Sequence, residues 1–453
     1  MELEEYTLKD LLSRIVDNRG RTCPTAETGT ALIATNCIKD DQLYPVFERV
    51  RWVDSETMET WFRGHPEPGD ILFVLKGSPG RCCLVPDPIN FCIAQDMLAL
   101  RADETKVSQK FLFALLRSSI VRNAIDNLHV GTMIPHFKKG DFDQLTFQIP
   151  TSRKIQEWIG DQYFTLSDKI ELNRRMNATL EGMAQALFKS WFVDFDPVID
   201  NALAAGNPIP DELAARAEVR RKILVESTSI ANVPAKAEFP NSFAITDELG
   251  HIPGGWKVGT IGDLCQRVLD KIKHKEEWAS ETLIDLSRMP SKSISLNDWG
   301  LGKQLTTSVT RFQKMDTLFG AIRPYFHKVG IAPTDGVTNV SVFVIRSNKE
   351  LDRTFIATLC SMEAVVGFAT NVSKGTKMPV VAWSDFASYQ MALPPQKTRE
   401  AFGNTIGPLF EGITVNIKQS QTLTKLRETL LPKLISGELR IPEAEQLTEE
   451  ALA

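Results

Sequence analysis

The chain has 453 residues, of which 43% are hydrophobic and 24% are charged, and this composition excludes wholesale disorder. At roughly 150 residues per domain, the length predicts about three folding units. Lys and Arg number 52 and Asp and Glu number 57, giving a formal net charge of −5 at pH 7. This balance excludes no class of partner, because a whole-chain average hides local patches: residues 251–395 alone carry 17 − 13 = +4.

Targeting and redox signals are weak. The first residues, MELEEYTLKDLL, open with acids and predict no signal peptide. The longest apolar runs, such as Phe111 to Leu116, fall far short of the ~18 residues that cross a bilayer. Seven cysteines form an odd set without C-x-x-C spacing, which is typical of reduced thiols. We therefore expect a cytoplasmic protein that contacts no membrane and holds no metal.

The first 150 residues are short apolar runs punctuated by Gly, Pro and Asp, which predict a globular domain of mixed strands and helices over 1–150. Its end, GTMIPHFKKGDFDQLTFQIP at 131–150, recurs as GTKMPVVAWSDFASYQMALP at 375–394. At a constant offset of 244 the two strings share 6 identities in 20, where chance gives about one. The sequence therefore predicts a tandem duplication.

Residues 151–195 switch to a helical period. Their a and d heptad positions are Leu166, Ile170, Asn173, Asn177, Leu180, Ala184, Leu187 and Trp191. At an offset of 243, residues 396–440 repeat the pattern with Leu409, Ile413, Asn416, Ser420, Leu423, Arg427, Leu430 and Leu434. Two such helices, related by a pseudo-two-fold axis, predict an antiparallel coiled coil with the globular parts at opposite ends. Asn173 and Asn416 are equivalent polar positions that would fix its register, or would face solvent on imperfect helices.

The remaining segments complete the predicted organisation. Residues 196–253, rich in Ala and Pro, are expected to be a linker with one short helix over 210–226, for which Asp211 is a plausible cap. Residues 254–395 form the second globular domain and 441–453 a tail. The fold class is therefore α+β: two tandem mixed α/β domains joined by two long helices, with an internal pseudo-two-fold repeat.

Motifs of catalysis are missing from the sequence. We find no phosphate-binding G-x-x-x-x-G-K-[ST], no dinucleotide G-x-G-x-x-G after a strand, no zinc H-E-x-x-H and no nucleophilic G-x-S-x-G. The six histidines are scattered singly, and Asp194 and Asp196 lie at a helix end, where a structural role is expected. These observations favour a binding protein. The alternatives are a self-contained nuclease or methyltransferase with unrecognised motifs, and a purely structural coiled-coil scaffold.

Three strings carry a family resemblance. They are QALFKSWFVDFDPV at 185–198, EFPNSFAITDELGHIPGGW at 238–256, and LTKLRETLLPKLISGEL at 423–439. All three resemble the specificity subunit of type I restriction–modification enzymes: the first two its central conserved region and the lead-in to its second recognition domain, the third its distal conserved helix. The resemblance covers the whole chain, in the order variable domain, conserved helix, variable domain, conserved helix.

The resemblance implies a subunit without catalysis of its own. Each globular part would be a target recognition domain that reads one half of a bipartite, asymmetric DNA sequence. The helical pair would set the number of unread base pairs and dock two methyltransferase subunits, which two motor–nuclease subunits join for restriction. This chain would bind no cofactor, and S-adenosylmethionine, ATP and Mg²⁺ would belong to its partners.

Contacts to double-stranded DNA call for cationic and polar side chains on exposed loops. In the first domain the candidates are Arg19, Arg21, Lys76, Ser78, Arg81, Lys138 and Lys139. In the second domain they are Arg323, Tyr325, His327, Lys328, Lys374 and Lys377. The candidates for partner binding are Trp191, Phe192 and Phe195, an aromatic cluster for which packing inside the subunit is the alternative.

Overall fold

The computed structural model describes residues 1–18, 20, 22–128, 137–226, 239–272, 274–305 and 308–452. The chain forms two compact units. Unit 1 comprises Met1–Leu172 with Gln419–Ala453, and unit 2 comprises Asn173–Lys418. The division passes through both long helices, so each unit contains one globular part together with one half of the helical pair.

Unit 1 builds its sheets from short strands. These are β1 (Leu3–Thr7), β2 (Leu12–Val16), β3 (Thr30–Ile33), β4 (Arg51–Val53), β5 (Ile71–Val74), β6 (Cys82–Leu84), β7 (Phe91–Ile93), β8 (Met97–Ala102) and β9 (Thr146–Pro150). The sheet orders are β2-β8-β5-β6, β4-β3-β7 and β1-β9. All pairs are antiparallel except β3 with β7.

Unit 2 repeats this arrangement with additional strands. They are β10 (Phe243–Thr246), β11 (Gly250–Pro253), β12 (Lys257–Thr260), β13 (Cys265–Arg267), β14 (Lys271–Ile272), β15 (Thr282–Leu283), β16 (Gly300–Leu301), β17 (Val309–Phe312), β18 (Thr317–Gly320), β19 (Val329–Ile331), β20 (Gly336–Asn339), β21 (Val342–Ser347) and β22 (Gln390–Leu393). The order β13-β21-β18-β19 matches β2-β8-β5-β6, and β12-β22 matches β1-β9. The matching topologies confirm the internal repeat.

The helices complete both units. They are α1 (Ser55–Thr60), α2 (Gln109–Arg117), α3 (Ser119–Leu128), α4 (Arg153–Phe192), α5 (Asp196–Ala205), α6 (Ala214–Glu226), α7 (Ile261–Leu264), α8 (Arg353–Ser361), α9 (Glu363–Asn371), α10 (Trp383–Ala387), α11 (Gln396–Ser436) and α12 (Ile441–Leu452). The 40-residue α4 and the 41-residue α11 are the long helices expected from the heptad spacing.

An ion pair between a buried aspartate and a partly exposed arginine recurs at the same place in both copies. The Asp70 carboxylate, 2% exposed, accepts from Nε of Arg101 at 2.8 Å and from Nη2 at 3.1 Å. In unit 2, Asp316 accepts from Nε and Nη2 of Arg346 at 2.9 and 2.6 Å. In each case the hydrogen bond to the carboxylate raises the pKa of the arginine. Two-point pairing of this kind fixes β5 against β8, and β18 against β21.

The two long helices pack antiparallel. In unit 1, Arg427 donates to the Ser167 hydroxyl at 3.0 Å, and Leu423 packs on α4. In unit 2, the Asn177 amide lies 3.5 Å from the carbonyl oxygen of Ile413. As residue numbers rise along α4, those of its contacts along α11 fall, so the predicted antiparallel coiled coil is confirmed.

The segment between the repeat copies has more structure than the sequence predicts. Besides α6 it contains α5 and the β10–β11 hairpin, whereas a single short helix was expected. Asp211 begins a 3-10 turn and makes no side-chain cap. Asp196 and Asp200 on α5 form bidentate pairs with Arg216 and Arg220 on α6, which explains why the two helices stay together.

Hydrophobic cores lie in both globular parts. The core of unit 1 contains the completely buried Phe111, Phe113 and Phe142. The seven cysteines are buried free thiols, and burial raises the pKa of Cys82 to about 12. Within the described ranges no single helix is long and apolar enough to span a membrane. The segments Glu350–Ser361 and Glu363–Asn371 meet that criterion only as a bent pair.

Candidate nucleic-acid interface

The hairpin between β5 and β6 carries the first group of predicted cations. We call residues 75–81 turn 1. Gly77 and Gly80 have φ of +84° and +87°, which L side chains rarely adopt, and a Cβ on Gly80 would lie 2.9 Å from the Ile125 side chain. Lys76 at the tip is exposed, Ser78 is half-buried, and Arg81 lies 3.6 Å from Asp40.

A second segment of unit 1 lies beside turn 1. The backbone N–H of Phe137 donates to the Leu75 carbonyl at 2.8 Å, and the Phe137 ring stacks on Phe142 with a centroid separation of 5.4 Å. This buried anchor leaves Lys138 and Lys139 exposed next to turn 1. The structure therefore brings the predicted Lys76 and Lys138 groups together in unit 1.

Turn 2, residues 321–328, is the equivalent connection between β18 and β19 in unit 2. Arg323 and His327 flank a 3-10 turn and have φ of +50° and +51°, a left-handed conformation that is strained for such residues. Tyr325 lies between them at the tip and is 51% exposed. Turn 2 thus exposes Tyr325 to solvent, and the residues around the turn hold its backbone in this strained conformation.

Two of the predicted DNA contacts in turn 2 point inward. His327 is 9% exposed and its Nε2 lies 2.8 Å from the carbonyl oxygen of Ser361. Lys328 donates from Nζ to the Leu286 carbonyl at 2.5 Å. Burial lowers the pKa of both side chains. Their contacts are therefore structural, and a sequence cannot distinguish them from the exposed cations beside them.

Residues 374–380, which we call turn 3, lie against turn 2. Arg323 joins the two, since its backbone N–H donates to Pro379 O at 2.7 Å and its Nη2 to Lys377 O at 3.1 Å. Gly375 has φ of +109°. Lys374, with a side chain 84% exposed, lies 3.4 Å from an Asp385 oxygen, and Lys377 is exposed.

The same contact builds both sites. Val381 N–H donates to Ala321 O at 3.0 Å in unit 2, as Phe137 N–H does to Leu75 O in unit 1. Each copy therefore places exposed lysines next to an equivalent turn: Lys138 and Lys139 beside turn 1, and Lys374 and Lys377 beside turn 2. The predicted contacts Arg19 and Arg21, and Gly131 and Thr132 at the start of the repeated string, lie outside the described residues.

Sequence reasoning missed two exposed aromatic side chains near turn 1. Tyr44 and Phe47 are 45% and 46% exposed, on a segment tied to β6 by the bond from Leu84 N–H to Leu43 O at 2.8 Å. Asp40, on the same segment, is the partner of Arg81. An aromatic pair in a polar stretch was the available signal, because exposed rings are suited to stacking on bases.

The aromatic cluster at the end of α4 is internal. Trp191, Phe192 and Phe195 are 3%, 6% and 9% exposed and belong to the core of unit 2. Phe192 contacts the rings of Phe402 and Trp256 at centroid distances of 5.1 and 6.1 Å. The contacts of all three side chains in this structure are therefore within the subunit, the alternative considered from the sequence.

Polar residues occupy the middle of the helical pair. Asn173 and Asn416, 1% and 9% exposed, approach each other where the Asn173 amide lies 3.5 Å from the Asn416 carbonyl oxygen. The Asn416 amide also donates to the Asn177 side chain at 2.8 Å. In the described part of the chain, no group of three His, Cys, Asp or Glu side chains is placed to hold a metal ion.

The sequence comparisons match type I restriction specificity proteins. Residues 4–182 match the family model of the type I restriction modification DNA specificity domain. The chain is 26% identical over 405 residues to the type I restriction enzyme HindI specificity subunit of Haemophilus influenzae, covering 82% of this chain and 86% of that protein. It is 25% identical over 379 residues to the MjaIX specificity subunit of Methanocaldococcus jannaschii, covering 83% and 78%. The crystal structure of a type I restriction-modification S subunit from M. genitalium aligns over 96% of both chains, with 13% identity and a TM-score of 0.46.

Proposed function

We propose that this chain, which belongs to the specificity subunits of type I restriction–modification systems, selects the DNA sequence that a partner methyltransferase modifies. Each globular part reads one half of a split, asymmetric target. The observation that carries the proposal is one backbone contact that recurs on two domains of different sequence and places exposed lysines beside the equivalent turn, Lys138 and Lys139 beside turn 1 and Lys374 and Lys377 beside turn 2. Two recognition domains of different sequence on one chain match a non-palindromic target, just as the two identical subunits of a dimer match a palindrome.

The exposed side chains divide into two classes of contact. Lys76, Lys138 and Lys139, with Lys374 and Lys377 in unit 2, carry single charges on flexible stems and are suited to phosphates. Tyr325 offers a ring and a hydroxyl at the most exposed point of turn 2 and is suited to base contact. Arg19 and Arg21 remain candidates in the first domain on sequence grounds. His327 and Lys328 act by holding turn 2.

The coiled coil of α4 and α11 sets the number of unread base pairs and docks the catalytic partners. Asn173 and Asn416 fix its register, because sliding the helices would leave their buried amides without partners. With Trp191 and its neighbours packed inside unit 2, docking falls to the exposed faces of the helices.

The assembly we propose contains two methyltransferase and two motor–nuclease subunits in the cytoplasm, where the seven thiols stay reduced. S-adenosylmethionine, ATP and Mg²⁺ bind the partner subunits. This division of labour also explains the net charge of −5, since large partners share the neutralisation of phosphates. A self-contained enzyme is the disfavoured alternative, because the relatives are specificity subunits.

The test is reconstitution of the chain with a type I methyltransferase subunit from the same host. The complex is incubated with a random-sequence duplex library and S-adenosylmethionine, and methylated molecules are sequenced. We expect one split motif, with two specified halves and a constant gap. Methylation by this chain without the partner subunit, or methylation without a sequence motif, would contradict the proposal.

A further inference from the structure

Glu181 is a buried carboxylate on α4 that the helical pair does not use. It is 6% exposed and lies beside the apolar heptad positions of the helix, within unit 2. Its Oε1 accepts from the Ser293 hydroxyl and from Ser295 N–H, both at 3.0 Å, and also from the Ser295 hydroxyl. Its Oε2 accepts from Ile294 N–H at 3.1 Å. Four donors from one short segment therefore converge on this carboxylate.

The segment that Glu181 holds supports turn 2 from behind. The Ser291 hydroxyl donates to Phe326 O at 2.6 Å, and Lys292 N–H donates to His327 O at 2.9 Å. Residues 291–295 thus connect Glu181 to the carbonyls of Phe326 and His327, the two residues that directly follow Tyr325. The far end of the segment is also fixed, by a bond of 3.0 Å from Ile331 N–H to Ile294 O next to β19.

On the premise of the function proposed above, we propose that Glu181 is a positioning residue that fixes the reading turn of the second recognition domain relative to α4. Hydrogen bonds to charged groups are the stronger ones, and four of them hold a loop that has no helix or strand of its own. If α4 sets the gap between half-sites, the bond network from Glu181 to turn 2 sets where the second half-site must lie.

The first recognition domain has no matching carboxylate on its helix. The repeat offset of 243 places Thr424 at the position equivalent to Glu181, since 181 + 243 = 424. One hydroxyl cannot accept from four donors. The effect of Glu181 is therefore specific to the second half-site, and this asymmetry separates positioning from a general loss of stability.

The test compares E181Q with wild type in the reconstituted methyltransferase complex. Gln keeps the size of Glu but replaces one acceptor oxygen with an NH2 donor, which then faces either the Ile294 N–H or the donors of Ser293 and Ser295. The probes are duplexes carrying the wild-type motif, duplexes with one base pair added to or removed from the gap, and duplexes with one mismatch in either half. E248Q, at an exposed glutamate between β10 and β11 and away from both long helices, is the matched control.

We expect E181Q to lower the ratio of rates between the correct gap and the altered gaps by about tenfold. We also expect it to weaken discrimination against mismatches in the second half only, and E248Q to behave as wild type. A folded E181Q complex with wild-type ratios overturns the proposal, as does equal loss in both halves. A wild-type complex that methylates no split motif overturns the proposed function instead.

If E181Q does not fold, S293A provides the test. This variant removes the Ser293 hydroxyl donor but keeps the Glu181 carboxylate and its bonds to the backbone N–H groups of Ile294 and Ser295. The same ratio of rates is then expected to fall about two- to threefold. An unchanged ratio in S293A overturns the proposal.

Discussion

The Asn416 amide donates to the side-chain oxygen of Asn177 at 2.8 Å, inside the packed seam of the two long helices. The two residues are not equivalent in the repeat: Asn416 corresponds to Asn173, whose own amide lies 3.5 Å from the Asn416 carbonyl oxygen. One asparagine of α11 therefore contacts two asparagines of α4. Because each additional polar partner must align when the helices pack, this arrangement specifies the register more strictly than a single pair.

Removing one partner of this network should destabilise unit 2. N177A leaves the Asn416 amide without its 2.8 Å acceptor in a buried site, so we expect a loss of about 1–3 kcal/mol in the free energy of unfolding. Denaturant unfolding of the purified chain measures it, with N404A at an exposed position of α11 as control. The double variant N177L/N416L should recover the stability while broadening the accepted gap between half-sites. Full stability in N177A would contradict this role.

Exposed lysines beside turn 1 should contribute salt-dependent affinity. Neutralising two phosphate contacts in K138Q/K139Q should reduce the slope of log affinity against log salt by up to about 1.8. The measurement is a salt titration of DNA binding by the assembled complex. K154Q removes an exposed lysine in the first turn of α4 and should leave the slope unchanged. If K138Q/K139Q and wild type have equal slopes, these two lysines do not contact DNA phosphates.

Turn 3 depends on the glycine at position 375. G375A forces an L side chain to φ of +109° and places its Cβ 3.1 Å from the Met378 carbonyl oxygen, which costs on the order of 1–3 kcal/mol locally. We expect loss of discrimination at the second half-site, read out by methylation of mismatched duplexes. G367A on α9 meets no atom within 4 Å and should be neutral or stabilising. If G375A discriminates against mismatched duplexes as strongly as wild type does, turn 3 takes no part in reading DNA.

The buried imidazole of His327 should make unit 2 sensitive to acid. Burial lowers its pKa below the ordinary 6.5 of a histidine, although the Ser361 carbonyl and Glu363 oppose this shift and Lys292 adds to it. The unfolded chain therefore binds more protons than the folded one as pH falls below about 6.5, and stability is lost in that window. Between pH 7.5 and 5.5 the melting temperature should fall further for wild type than for H327Q, which keeps an N–H donor but does not titrate. If the melting temperatures of wild type and H327Q fall by the same amount, His327 is not the cause of the acid sensitivity.

Periodicity and self-similarity predict most of the architecture. The heptad positions predict α4 and α11 and their packing as a coiled coil, because an apolar stripe of period 3.5 is buried by a second helix, and the internal repeat predicts that the two helices run antiparallel. The offset of 244 predicts that the two globular parts share a fold, and the equivalent bonds from Phe137 to Leu75 and from Val381 to Ala321 follow that offset closely.

The sequence does not predict whether a given side chain points into the protein or into solvent. Lys328 and Lys377 look alike as lysines near a turn, yet one donates to a carbonyl inside unit 2 and the other is exposed. Glu181 escapes prediction because its donors, Ser293 to Ser295, lie more than 110 residues away in the chain. The α5 helix is missed because its ion pairs to α6, such as that of Asp196 with Arg216, stabilise it from outside its own sequence.

The most direct measurement is the methylome of the host strain with this gene intact, deleted and restored. The account predicts that N6-methyladenine disappears from one split motif on deletion and returns on restoration. It also predicts that restoration with the G375A gene preserves the first half of the motif and relaxes the second. A methylome that does not change on deletion, while the partner subunits are expressed, would contradict the claim that this chain selects the methylated sequence.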